Sequence, residues 1–356
     1  MTQSTDSLFQ PIKLGANELD NRFAMAPLTR CRAPGHQPNE LMAEYYGQRA
    51  SAGLIISECS MIQPNTSTFA TEPGIYSQEQ IEGWKLTTKA VHEKGGKIFM
   101  QIWHAGRAAH PALNAEENIV SASDVLLPGE THTPDGKLPF TVPKPLTQDQ
   151  IKAIVNDYRQ AAANAMEAGF DGVEIHGANG YLIDQFLRDG TNKRDDEYGG
   201  EFENRARFLF EVIEAVSAEI GSDRVGVRLS PLNSYNDMKD SNPEGLIAFL
   251  SEKLNQYDLA YLHLMRADFF GQQQADVVPI AREHYKGTLM VNMGYSAEEA
   301  AAVLDAGTAD LVAFGTGFLA NPDFPARVKA GAELNQADEA TFYTPGPEGY
   351  TTYPAM

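Results

Sequence analysis

The chain has 356 residues, and its 28 Lys and Arg against 48 Asp and Glu give a formal net charge of −20. This acid excess disfavours nucleic acid and anionic membrane surfaces as partners, because neutralising phosphate groups requires clustered Lys and Arg. The two cysteines, Cys31 and Cys59, are too few for a four-cysteine zinc site or a cysteine-ligated cluster.

The compartment is indicated by two further features of the sequence. A low cysteine count suits a reducing environment. The first residues, MTQSTDSLFQPIKL, lack the basic patch and apolar run of a secretory signal. No apolar run approaches the ~18 residues that a membrane-spanning helix needs. We therefore expect a cytoplasmic protein with no membrane partner.

Short apolar segments, partly β-branched, recur along the chain as buried parallel strands should. The predicted strands are 22–27, 53–58, 97–103, 171–176, 224–230, 259–264, 288–292 and 310–314. Amphipathic stretches separate them, and the predicted helices are 39–51, 78–95, 148–168, 203–220, 243–256, 273–285, 296–306 and 323–330. Thr147 with Gln150 forms a capping-box pattern, and Gly307 is a helix stop signal.

Eight strands that alternate with eight helices predict an α/β fold, a (β/α)8 TIM barrel formed by one domain over residues 1–356. A doubly wound sheet is the alternative, but APLTRCRA after the first strand lacks its Gly-rich phosphate loop. Residues 8–20 predict a short hairpin closing the bottom of the barrel. The segment 104–147 is too long to be a simple connection between a strand and a helix. We therefore expect an ordered excursion after strand 3, with its own hairpin near the Asp-Gly pair at 135–136.

Active sites of such barrels lie at the carboxyl ends of the strands. The strand ends here form a polar rim that lacks the paired acids of a glycosidase and a convincing set of metal ligands. We expect no metal site.

One segment at these strand ends carries a specific resemblance. HGANGYLIDQFLRDGTNKRDDEYGG at 176–200, followed by ENRARF at 203–208, resembles the signature of the old yellow enzyme family of FMN-dependent NAD(P)H ene reductases, of the N-ethylmaleimide and xenobiotic reductase type. Similar stretches run from LFQPIKLGANELDNRFAMAPLTR at the start to FYTPGPEGYTTYP near the end. The resemblance covers almost the whole chain.

The resemblance implies catalytic roles for three residues after strand 4. His176 and Asn179 would donate hydrogen bonds to the carbonyl or nitro oxygen that activates the substrate, as an oxyanion trap does. Tyr181 would protonate the α-carbon, since an ordinary phenol with a pKa of ~10 keeps its proton at neutral pH.

The resemblance also implies a non-covalently bound FMN. Thr29 would bond the flavin C4 carbonyl, Gln101 would pair with the pyrimidine edge, and Arg228 would lie beside N1 and O2, where negative charge gathers on reduction. The backbone of Pro27 and Cys59 would complete the contacts, although alanine is usual at the position of Cys59.

The predicted phosphate site departs from the family pattern. The phosphate would sit near Gly294 and Gly315, where close-packed backbone N–H groups favour an anion. The usual arginine after Gly315 is Thr316 here, and a Met293-Gly294 pair replaces the usual Gly-Gly. A hydroxyl adds no charge, so we expect FMN to bind, but less tightly than with an arginine.

Four aromatic side chains are candidates for the substrate pocket above the flavin: Phe69, Trp103, Phe269 (or its neighbour Phe270) and Tyr343. The expected reaction takes a hydride from NADPH or NADH and passes it through the flavin to the β-carbon of an α,β-unsaturated carbonyl or nitro compound. Alternatives are a nitro-compound or nitrate-ester reductase on the same site, and a flavin-binding protein without catalysis. The physiological substrate, the choice of nicotinamide and the oligomeric state stay open.

Overall fold

The structure is a computed structural model that describes residues 4–115 and 119–356. The start of the predicted domain, 1–3, and residues 116–118 of the predicted excursion lie outside the described residues. Eight parallel strands close a barrel: β1 (Phe23–Met25), β2 (Leu54–Ile56), β3 (Ile98–Trp103), β4 (Gly172–Gly177), β5 (Val225–Leu229), β6 (Tyr261–Met265), β7 (Leu289–Asn292) and β8 (Leu311–Phe314).

Each barrel strand pairs with the next one in parallel, and β8 pairs with β1 to close the ring. Ten helices occur in the described part of the chain: α1 (Glu40–Gln48), α2 (Gln78–His92), α3 (Gln148–Glu167), α4 (Leu182–Leu187), α5 (Phe202–Ile220), α6 (Pro243–Leu254), α7 (Val277–His284), α8 (Ala297–Asp305), α9 (Thr316–Ala320) and α10 (Phe324–Ala330). The prediction of a (β/α)8 barrel is confirmed.

Local signals explain several helix boundaries. Complete capping boxes begin α2 at Ser77, α3 at Thr147 and α8 at Ser296, where side chain and backbone satisfy each other's hydrogen bonds. The helix predicted from residue 273 begins only at Val277. Its first residues instead form a loop, since the backbone N–H groups of Gln272 and Gln273 donate to the Asp268 carboxylate.

Both predicted hairpins are present. Ile12–Leu14 pairs with Asn17–Leu19, and the buried Leu14 and Leu19 join an apolar cluster inside the barrel with Phe99. In the excursion, Glu130–Thr133 pairs with Gly136–Pro139 around the Asp-Gly turn. The first hairpin therefore closes one end of the barrel, and the second rises beside the other end.

The larger apolar cluster lies between the strands and the surrounding helices, where Val173, Val227 and Leu264 meet helix residues such as Leu209 and Ile247. A third cluster, which includes Cys59, Trp103 and Tyr181, lies at the carboxyl ends of the strands. Since the barrel interior is apolar at its base, polar side chains pointing inward are confined to the carboxyl end.

Candidate active site

A polar layer covers the apolar base of the barrel. The strand registers pair Gln101 with Glu174, His176 with Arg228, and Arg228 with His263. All five side chains are buried. Alternate residues of a strand point to the same side, so Glu174 and His176 lie one above the other on β4, and the layer leads from the barrel interior to the strand ends.

His176 is buried at the end of β4. Burial lowers its pKa well below the usual value, and the nearby positive charge of Arg228 lowers the pKa further. A neutral imidazole has one N–H to donate. Its Nδ1 atom is buried and has no hydrogen-bond partner among the described residues, so the neutral imidazole has hydrogen-bonding capacity that these residues do not use.

Asn179 follows on a turn that its neighbours hold in place. Its backbone has a φ of 57°, in the left-handed region that asparagine tolerates. Its N–H donates to Ser230 Oγ at 2.8 Å, and Asn233 Nδ2 donates to its Oδ1 at 2.8 Å. With Oδ1 engaged, the carboxamide has its Nδ2 donor to offer.

The next residue, Gly180, makes this turn possible. It has a φ of 73°, and a Cβ built on it would approach the Asn236 Cβ to 2.6 Å. Any larger residue would push Asn236 away, and Asn236 Nδ2 donates to the Asn179 carbonyl at 2.9 Å.

Tyr181 precedes α4 and lies in the apolar cluster with Trp103. The two rings meet edge to face with centroids 4.4 Å apart, and the His176 ring lies 5.2 Å from that of Tyr181. Burial raises the pKa of Tyr181 well above its usual value, and the charges of Tyr235 and Cys59 would raise it further. The phenol therefore holds its proton throughout the physiological pH range.

The predicted flavin contacts lie on neighbouring strand ends. Thr29 Oγ1 and Cys59 Sγ are 3.3 Å apart, which joins the segment after β1 to the segment after β2. Pro27 and Cys59 are buried, and burial raises the pKa of the Cys59 thiol well above its usual value. Cys59 is therefore a neutral, shielded thiol rather than a reactive thiolate.

The residues for the pyrimidine edge fit an electron-rich, partly anionic ring. Arg228 is buried, Asn292 Oδ1 accepts from its Nη2 at 3.1 Å, and its Nε has no partner among the described residues. Gln101 Nε2 donates to Glu174 Oε1 at 2.7 Å. A buried guanidinium with an unused donor is costly unless an acceptor binds there, so the donor set matches the flavin that the sequence predicts.

Gly294, Gly315 and Thr316 line one cavity of about 460 Å³ between the ends of β7 and β8. Two arginines lie nearby but are engaged by the protein itself. Arg327 bonds Asp323 and the carbonyls of Glu333 and Pro354, and Arg266 bonds the carbonyls of Met293 and Gly294. An anion in this cavity would therefore depend largely on backbone N–H groups and on the Thr316 hydroxyl.

A larger cavity of about 940 Å³ opens above Tyr181. Phe69 and Tyr343 line it, and their rings stack at 6.0 Å. Two of the predicted pocket aromatics lie elsewhere. Trp103 is fully buried beneath Tyr181, and Phe269 packs edge-on against Tyr235, so that Phe270 contributes to the cavity wall instead.

Tyr343 is carried by residues 341–350, which we call the C-terminal strap. Buried arginines bind its backbone: Arg30 donates to the carbonyls of Phe342 and Gly349, and Arg32 donates to those of Thr341, Phe342, Gly346 and Glu348. Arg30 and Arg32 also lie over the Tyr350 ring. This wall of the cavity is therefore fixed by bonds to the segment after β1.

Sequence reasoning did not select several residues that shape the site. Asn233, Asn236 and Ser230 orient Asn179, and Glu174 with His263 supports Gln101. An acid inside the strand GVEIHG was the available signal for Glu174, because a carboxylate in a buried strand needs partners. Among the described residues, no group of three His, Cys, Asp or Glu side chains could hold a metal ion, and no helix is long and apolar enough to cross a membrane.

Comparison with known proteins gives a consistent result. The family model described as the NADH:flavin oxidoreductase / NADH oxidase family matches residues 7–335. A probable flavin mononucleotide-dependent alkene reductase of Leishmania infantum is 50% identical, over 100% of this chain and 99% of its own length.

Solved structures agree. The old yellow enzyme from Trypanosoma cruzi superimposes with a TM-score of 0.96 at 42% identity, with 99% of each chain covered. Morphinone reductase in complex with tetrahydroNAD has a TM-score of 0.94 at 44% identity, with 98% of each chain covered.

Proposed function

The chain belongs to the NADH:flavin oxidoreductase / NADH oxidase family, as an FMN-dependent oxidoreductase of the old yellow enzyme type, and from this we propose that it reduces activated alkenes at the carboxyl end of its barrel. When bound, FMN supplies the transfer of a hydride from a nicotinamide to the alkene. One observation carries the proposal: the His176 ring lies 5.2 Å from that of Tyr181, which lines a cavity large enough for a small-molecule substrate, and Asn179 is bonded to Asn236 in the wall of the same cavity.

We assign the cofactor contacts to residues at adjoining strand ends, all within one domain. Arg228, Gln101 and Thr29 would hold the polar edge of the ring, with the backbone of Pro27 and Cys59. Gly294, Gly315 and Thr316 would hold the phosphate. The unpartnered Nε of Arg228 and the shared cavity of the two glycines and Thr316 support this assignment.

His176 and Asn179 bind the oxygen of the activating group. Because the pKa of His176 lies well below its usual value, the imidazole acts as a neutral donor rather than as an acid. The Asn179 carboxamide is already oriented by Asn233, so it loses little freedom on binding. Two preorganised donors stabilise the negative charge that develops on this oxygen during the reaction.

Tyr181 delivers the proton to the α-carbon. Its buried hydroxyl keeps the proton at neutral pH, and its edge-to-face contact with Trp103 holds the ring at the floor of the cavity. After the transfer the phenolate is poorly solvated and takes a proton back readily. The same group therefore returns to its acid form for the next cycle.

The substrates of the two half-reactions take turns in the cavity above Tyr181. NADPH or NADH binds first as reductant, and the activated alkene or a nitro compound follows, which gives ping-pong kinetics. Nitro compounds and nitrate esters fit as acceptors because their oxygens can accept hydrogen bonds from the same pair of donors.

We place the protein in the cytoplasm, since Cys31 and Cys59 are buried free thiols. Immunodetection in fractionated cells tests this location.

An anaerobic visible spectrum tests the proposed function. The purified protein, supplied with FMN, is mixed with NADPH or NADH and then with 2-cyclohexenone. We expect the flavin band to bleach with the nicotinamide and to return with the enone. A flavin band that never bleaches would favour a flavin-binding protein without catalysis, and bleaching that only a nitro compound or a nitrate ester reverses would favour the alternative reductase.

A further inference from the structure

Glu174 lies at the centre of the polar layer and is fully buried. Its Oε1 accepts from Gln101 Nε2 at 2.7 Å, and its Oε2 accepts from the Tyr261 hydroxyl at 3.1 Å and lies 2.8 Å from His263 Nδ1. Three strands, β3, β6 and its own β4, thus meet at one carboxylate.

The hydrogen-bond partners of the carboxylate favour its ionised form despite its burial. Burial alone would raise the pKa of Glu174, but His263, Arg228 and Gln101 outweigh burial and hold the pKa below its usual range. A buried negative charge of this kind is retained only where several donors satisfy it.

Glu174 also determines how Gln101 presents its carboxamide. Gln101 and Glu174 are register partners on adjacent strands, and the bond from Nε2 fixes the plane of the amide. The Gln101 oxygen and the second amide hydrogen are then the groups that remain for a ligand.

The same carboxylate balances the charge of Arg228. In the described part of the chain, Arg228 forms no ion pair within 4 Å, and its Nη2 bonds the neutral Asn292. Glu174 is the largest favourable charge acting on this guanidinium, since burial lowers the pKa of Arg228 and Glu174 raises it. Both residues proposed for the flavin edge therefore depend on Glu174.

We propose that Glu174 is a positioning residue, which orients Gln101 and offsets the charge of Arg228 and so sets the reduction potential of the bound flavin. The inference rests on the proposed function, because Gln101 and Arg228 act on the flavin only if FMN binds there. Negative charge gathers at the pyrimidine edge on reduction, so an anion beneath this edge disfavours the reduced form.

Glu174→Gln tests the effect of charge at nearly constant shape. The neutral amide can still accept from Gln101 through its oxygen, but it no longer opposes the reduced flavin. We expect the affinity for reduced flavin, relative to that for oxidised flavin, to rise about tenfold. For a two-electron couple this corresponds to a positive shift of about 30 mV in the reduction potential of the bound flavin. The measurement is a redox titration of the bound flavin against a reference dye.

Tyr261→Phe is the matched control. It removes one donor from the same carboxylate and leaves the charge and the bond to Gln101 intact. We expect its affinity ratio to stay within twofold of the wild type, whatever the change in melting temperature. An unchanged or lowered ratio in Glu174→Gln, or an equal rise in Tyr261→Phe, would overturn the proposal.

Glu174→Asp keeps the inference testable if the glutamine variant does not fold. Aspartate keeps the charge but withdraws it by one methylene, so Gln101 loses its fixed orientation. We expect this variant to bind FMN about tenfold more weakly, while its ratio of reduced to oxidised flavin affinity stays within twofold of the wild type. An FMN affinity equal to that of the wild type would overturn the positioning role. A wild-type protein that binds no FMN would instead contradict the proposed function itself.

Discussion

Tyr181 and Trp103 meet edge to face at 4.4 Å with an interplanar angle of 86°, between the ends of β4 and β3. Trp103 is fully buried and Tyr181 lines the cavity, so the contact holds the phenol ring in place at the cavity wall. The strands therefore position the proposed proton donor through packing rather than through a charged partner.

Tyr181→Phe keeps this packing and removes only the hydroxyl group that would donate the proton. We expect reoxidation of the reduced flavin by 2-cyclohexenone to slow by about 10²-fold, the scale of a lost general acid. Reduction by the nicotinamide should change less than threefold, because that step needs no proton from Tyr181. Stopped-flow absorbance separates the two half-reactions. Equal slowing of both would contradict the proposed role.

Asn179→Ala removes one of the two proposed donors to the activating oxygen. We expect the enone half-reaction to slow by about 10²-fold, as for the loss of one oxyanion donor. Asn233→Ala should slow the same step by about tenfold, since it frees the Asn179 carboxamide without removing it. As a control, Asn236→Ala removes the bond to the Asn179 backbone carbonyl and leaves the bond between Asn233 and the Asn179 carboxamide in place. An effect as large as that of Asn233→Ala would speak against side-chain orientation.

Thr316→Arg adds a positive charge to the cavity lined by Gly294 and Gly315. We expect FMN to bind about tenfold more tightly, a gain of about 1.4 kcal/mol in binding free energy, because the guanidinium can bond the phosphate. The gain is modest because an exposed guanidinium realises only part of the energy of a charged hydrogen bond. Fluorescence titration of the apoprotein with FMN gives the dissociation constant. Thr316→Gln is the control for length without charge, and an equal gain in both variants would show that charge is not the missing element.

His104 follows β3 and is fully buried, and burial lowers its pKa to about 3. The unfolded chain binds a proton there near pH 6.5, so the stability that His104 contributes is complete above this pH and is lost as the pH falls toward 3. We expect a loss of about 2 kcal/mol by pH 5. The measurement is the unfolding free energy at pH 7.5 and at pH 5. In His104→Gln the difference between these two values should be smaller than in the wild type by about 2 kcal/mol. The control His132→Gln, on the exposed hairpin, should leave the difference unchanged.

Met293 has a φ of 93°. In this region of positive φ, a residue with a Cβ is strained by close contact with its own backbone. We expect Met293→Gly to raise the unfolding free energy by up to about 1 kcal/mol, since relief of strain exceeds the entropy that glycine adds to the unfolded chain. Denaturant unfolding measures the change. Ala306→Gly, at a φ of −76° after α8, should lower the stability, and a similar loss in Met293→Gly would show that residue 293 is not strained.

The barrel followed from the sequence because each strand is a compact apolar run and because capping boxes mark where helices such as α3 and α8 begin. The short helices α4 and α9 were missed, since six and five residues carry too little periodicity. The choice between Phe269 and Phe270 stayed open for a similar reason: in the loop DFFGQQQ no pattern tells which ring faces the cavity. His176, Asn179 and Tyr181 were selected by resemblance, whereas the partners of Asn233 and Glu174 lie far away in the sequence, so that no local pattern identifies them.

The C-terminal strap has a consequence for how substrate range can diverge among related proteins. Arg30 and Arg32 hold the strap almost entirely by its backbone carbonyls, and every amino acid supplies a carbonyl. Exposed side chains on the strap, Tyr343 among them, can therefore be exchanged without loosening its attachment. One wall of the cavity is free to evolve while the chemistry on β4 stays constant, which makes residue 343 a natural first position for engineering selectivity.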